Sequence, residues 1–80
     1  MPTILQIGPY RFFFYSEEGG EPAHIHVEEG NKAAKFWLHN GELARARNFR
    51  GHELSTIRKM VAAHKHELME AWNVYFDSAK

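Results

Sequence analysis

Two histidines stand two residues apart in the segment Glu21-Pro22-Ala23-His24-Ile25-His26-Val27-Glu28. On an extended strand such residues project to one side, so His24 and His26 can approach a common ion or a common phosphate. As ligands they suit a divalent metal such as zinc, which normally takes three protein ligands and keeps an open position in a catalytic site. The third ligand would come from Glu28, Glu21, His39 or another chain. Without metal, the same pair could act as acid and base in a phosphodiesterase acting on RNA, with Arg11 or Arg47 stabilising the phosphorane. Against both stands the plainer reading, two solvated imidazoles on an exposed strand.

Other chemistries find little support. The serines are Ser16, Ser55 and Ser78, none in a nucleophile-elbow context, and cysteine is absent, which removes disulfides and thiolate chemistry together. The glycines form neither a phosphate loop nor a dinucleotide fingerprint. Of the remaining histidines, His64 falls inside an apolar helical stripe and is expected to be at least partly buried, hydrogen-bonded to backbone or a nearby tyrosine, whereas His52 and His66 lie off that stripe and are expected on the surface.

The elements that must hold these residues fall into two halves. Up to residue 50 the chain consists of short β-prone runs separated by turn formers, and after Gly51 it contains no Gly or Pro. Strands are predicted at roughly 3–7, 10–15, 23–28, 32–38 and 42–47. The last is the weakest, because Asn40-Gly41 suits a hairpin but Asn40 could also cap a short helix. From about 51 to 76, Leu54, Ile57, Val61, Leu68, Trp72 and Tyr75 recur at helical spacing, which predicts one amphipathic helix of about seven turns. The predicted fold is a single α+β domain over 1–80: a curved antiparallel sheet of four to five strands, with one long C-terminal helix packed across one face.

Eighty residues allow one core and no second domain. Lys plus Arg and Asp plus Glu number ten each, so the net charge is zero, which lowers the expectation of nucleic-acid binding. No leader-like N-terminus and no apolar run of membrane-spanning length is present, and a cytoplasmic protein is expected.

Strand alternation directs Ile25, Val27, Phe36 and Leu38 toward the helix and leaves His24, His26, Lys35 and Trp37 on the other side. The run Tyr10 to Tyr15 is aromatic on both parities. It adds either Arg11, Phe13 and Tyr15 or Tyr10, Phe12 and Phe14 to that outer face. Three rings at roughly 150–250 Å² each exceed the few hundred Å² of apolar patch that a monomer usually exposes. A cover is therefore expected: a protein partner, a second copy, stacked nucleotide bases, or the chain's own loop 16–22 or N-terminal strand.

Met1-Pro2-Thr3 with Ile7-Gly8, Tyr10-Arg11-Phe12-Phe13-Phe14-Tyr15-Ser16, Glu21-Pro22-x-His24-Ile25-His26-Val27, Ala34-Lys35-Phe36-Trp37-Leu38, and Glu67-Leu68 with Ala71-Trp72 together resemble the bacterial domain-of-unknown-function family numbered 4160. The Glu-Pro-x-His-Ile-His-Val segment is the most specific element. The sequence departs from the family pattern at His39-Asn40-Gly41, where an acidic-Pro step is usual, and at Ala23, where a second Pro is common. The resemblance implies a small cytoplasmic bacterial protein without an assigned activity, in a gene arrangement similar to toxin–antitoxin pairs. Carried over by position, it points to His24, His26, Arg11, Trp37 and Lys35.

The expectation is an interaction module rather than an enzyme, one half of a toxin–antitoxin-like pair, with His24, His26, Lys35, Trp37, Arg11 and Tyr15 as its binding face. Its expected partner is a small protein or a second copy; nucleic acid is not favoured, and no membrane is involved.

Overall fold

A computed structural model of the chain describes residues 3–15 and 20–77. Five strands, β1 (Thr3–Ile7), β2 (Tyr10–Phe13), β3 (His24–Glu29), β4 (Lys32–Trp37) and β5 (Leu43–Arg47), precede two helices, α1 (Gly51–Ala63) and α2 (Lys65–Asp77). The strands form an open antiparallel sheet in the order β1-β2-β3-β4-β5, so every strand pairs with its neighbour in sequence.

Turn chemistry sets the hairpins. Gly30, at φ +59°, occupies the left-handed region that joins β3 to β4 through Gly30-Asn31. The β4–β5 connection is longer than a two-residue Asn-Gly turn. Trp37 N–H donates to the Glu42 carbonyl at 2.9 Å and Gly41 N–H to the Trp37 carbonyl at 2.9 Å. Asn40 turns its side chain back to accept the Glu42 N–H at 2.9 Å, so it serves the hairpin and caps no helix. After β5, Asn48 adopts φ +68°, and its amide donates to the Asn31 carbonyl at 2.8 Å, tying the β5–α1 corner to the β3–β4 turn.

The inner face follows the predicted alternation. Phe12, Ile25, Val27, Phe36 and Leu38 are buried together with Ile57 and Val61 of α1 and Leu68 and Trp72 of α2. Phe14, just past the end of β2, packs edge-on against Trp72 at 5.2 Å and against Tyr75 at 6.0 Å. Burying side chains of this size contributes roughly 1.5–3 kcal/mol each, which makes this cluster the main source of stability in a domain without disulfides.

The expected single helix is two. The break falls at His64, φ −108° and ψ 16°, while backbone bonds still run across it from His64 N–H to Met60 and from Leu68 N–H to His64. No Pro or Gly stands at the bend, so the sequence carries no sign of it. His64 is half-buried, as its place in the stripe implies, but its Nδ1 lies 3.0 Å from the Glu67 carboxylate rather than against backbone or a tyrosine. Strand ends also shift: β2 stops at Phe13, and β3 runs one residue later than expected.

At the start of α1, Glu53 accepts the Arg50 N–H at 2.9 Å and binds Lys32 Nζ at 2.8 Å, joining the helix to β4. The Lys32 hydrogen bond, and after it the Arg50 amide, hold the Glu53 carboxyl below its ordinary value. A lowered folded-state value stabilises fully above the unfolded-state value and is lost as pH falls through the folded one. Glu53→Gln should therefore lower stability at neutral pH, with the difference from wild type shrinking as urea melts are taken to about pH 4 and below. Ile57→Ala, at a fully buried position, should cost about 2–5 kcal/mol in the same melts, whereas Val74→Ala, 64% exposed, should fall within about 0.5 kcal/mol of wild type.

Candidate functional site

Register decides which parity of β2 faces outward. Phe13 pairs with His26, His26 with Lys35 and Lys35 with Arg45, so these four side chains form one row across β2 to β5 on the face opposite the helices. A second row runs Arg11, Glu28, Ala33, Arg47, and His24 pairs with Trp37 near the end of the sheet. Of the two parities open for β2, the one carrying Arg11 and Phe13 joins the outer face.

The rows grade from aromatic to cationic. Phe13 stacks on His26 at 5.6 Å, Tyr15 meets His26 edge-on at 4.7 Å, and the Arg11 guanidinium lies 4.4 Å above the Phe13 ring. Arg11 is held there by Glu28 at 2.7 Å and by Thr3 Oγ1 at 2.7 Å. Lys35 Nζ sits 4.7 Å from the Trp37 ring and 2.8 Å from Glu21. Beyond Lys35 the face opens. Tyr15, His26, Ala33, Lys35, Arg45 and Arg47 line a cleft of about 330 Å³, and the small Ala33 between Glu28 and Arg47 leaves room for it.

Two expectations about this face need correction. His24 is not an outward, solvated side chain: it is 0% exposed, with its ring 4.9 Å from Trp72 of α2 and 5.7 Å from Trp37. It pairs at the strand terminus where α2 crosses the end of the sheet, so an outward parity still leads to burial. Phe13 likewise is 3% exposed, because Arg11, Tyr15 and His26 surround it. The aromatic area for which a cover was expected reduces to Tyr15, 39% exposed, beside a half-buried Trp37, and residues 16–19 of the loop named as one possible cover lie outside the described residues.

The histidine chemistry follows from this placement. The His24 and His26 rings are 5.3 Å apart and nearly perpendicular, and His24 Nδ1–H donates to the Pro22 carbonyl at 2.8 Å. A carbonyl oxygen only accepts, so that bond places a proton on Nδ1. Of the candidates for a third metal ligand, Glu28 is held by Arg11 and His39 lies beyond Trp37, while Glu21 Oε1 is 4.0 Å from His24 Nδ1 but is taken by Lys35 at 2.8 Å. Among the described residues, no group of three or more His, Asp or Glu side chains is arranged to hold a metal ion. The face does not fit a zinc centre built on this pair. Nor does a fully buried His24 present an acid or base to a substrate.

Arg45 is the residue that sequence reasoning left out. A register shift at Lys35/Phe36 inserts an extra residue in β5, so Leu43 pairs with inward-facing Phe36 while Arg45 pairs with outward Lys35. Simple alternation along 43–47 would group Leu43 with both arginines and hide which face they serve.

No helix among the described residues is long and apolar enough to cross a membrane. No curated protein and no solved structure matches the chain. The family model described as Domain of unknown function (DUF4160) matches residues 10–73, taking in β2 to β5, α1 and most of α2, with every outer-face residue described above. The chain therefore belongs to the DUF4160 family.

Proposed function

We propose that this protein is a small interaction module of the bacterial cytoplasm whose outer sheet face binds an acidic segment of a protein partner. The observation that carries the reading is the pair Arg45 and Arg47. Both are exposed and outward on β5, and among the described residues neither makes an ion pair or a side-chain hydrogen bond. At roughly 3.4 Å per residue they stand about 7 Å apart, the spacing of alternate carboxylates along an extended chain. Lys35, His26 and Tyr15 complete the cleft between them and the aromatic side of the face.

Charge distribution favours protein over nucleic acid. Glu28 and Glu21 lie on or beside the same face and pair with Arg11 and Lys35, which interrupts the continuous cationic track that a phosphate backbone needs. The reason for a partner thus moves from uncovered aromatic area to uncompensated charge. One half of a toxin–antitoxin-like pair is a setting that fits such a module, the acidic segment then belonging to the other half.

Titration with a deca-glutamate peptide, followed by calorimetry, should give saturable binding that weakens as salt rises. Arg45→Glu/Arg47→Glu should weaken it at least about tenfold, or about 1.4 kcal/mol, with an unchanged circular dichroism spectrum. If oligouridylate of similar length binds saturably while the peptide does not, the face reads nucleic acid and the proposal fails.

A further inference from the structure

The cleft is bounded on one side by the last strand of an open sheet. Among the described residues β5 pairs only with β4, and all five of its residues are exposed. On an edge strand alternate residues turn their N–H and C=O groups away from the sheet. Such a row is a template for another strand, and β5 contains no Pro to interrupt it.

We propose that the acidic partner segment docks as a sixth strand along β5, its backbone pairing with the open edge and its alternate carboxylates meeting Arg45 and Arg47. This rests on the reading of the arginine face as the partner surface and specifies how that surface is used. Backbone pairing fixes the segment in register, and register places every second side chain on the arginine side. A segment bound only by charge has no such constraint.

The arginines also select the occupant. A second copy pairing along β5 in the two-fold register centred on Arg45 sets Arg45 opposite Arg45, and like charges directly opposite destabilise a strand pair. The opposite charge pattern converts the same positions into cross-strand ion pairs. The bulge at the Leu43 end of β5 twists the edge and keeps the regular pairing run short. That geometry suits one short incoming strand and opposes continued sheet growth.

The experiment uses the full chain and an eight-residue peptide of alternating Glu and Thr. Two derivatives carry backbone N-methyl groups, on the glutamate amides in one and on the threonine amides in the other. In a strand these two sets point to opposite edges, so methylation of one set should weaken binding at least about tenfold and methylation of the other by less than about threefold. Bound peptide should also slow amide exchange at alternate β5 residues. If the parent peptide binds but both derivatives bind alike and β5 amides exchange freely, strand addition is overturned while charge-based docking stands. If neither the parent nor deca-glutamate binds, both readings fall. A concentration-dependent dimer whose β5 amides are protected without peptide also overturns the proposal, since a second copy then takes the edge.

Discussion

Three successive phenylalanines, Phe12, Phe13 and Phe14, impose the constraint from which the rest of the architecture follows. Alternation sends neighbours on a strand to opposite faces, yet all three rings are almost fully buried. The sheet must therefore be covered on both sides. On the inner side α1 and α2 supply the cover. On the outer side there is no second layer among the described residues, and Phe13 is enclosed by Arg11, Tyr15 and His26. Long amphipathic side chains can do this because their stems and ring faces exclude water while their polar ends remain wet.

This arrangement gives the histidines a different meaning from the one that their spacing suggests. His26 is a packing element of the outer face that keeps a polar edge, and His24 is part of the seam between the sheet and α2. Identical residue types two positions apart have unlike environments because one lies at the middle of a strand and the other at its end. The cationic end of the same row, Lys35 and Arg45, is where charge remains available after the aromatic end has satisfied itself.

What could be read beforehand, and what could not, divides along physical lines. The inner parity of β3 and β4 was legible in Ile25, Val27, Phe36 and Leu38, since each strand has one clearly apolar side. Strand β2 was ambiguous because rings occupy both parities, and only pairing with Glu28 and His26 resolves it. Arg45 was obscured by one inserted residue, which reverses the alternation on which such readings depend. The bend at His64 left no trace because no Pro or Gly marks it and the apolar spacing continues from α1 into α2. Burial of His24 was out of reach of any local pattern, being created by Trp72 from the far end of the chain.

That last contact has a consequence for the order in which the molecule can be completed. Each strand pairs with its sequence neighbour, so during synthesis the sheet can form hairpin by hairpin from short loops of low closure entropy. The end of the sheet where Phe14 and His24 lie is different. It stays open until the segment containing Trp72, Tyr75 and Phe76 has left the ribosome, since those are the rings that close it. Residues 72–76 are thus a late-arriving lid on a sheet that is otherwise assembled, and a chain stopped before them would carry a formed meander with its aromatic end uncovered.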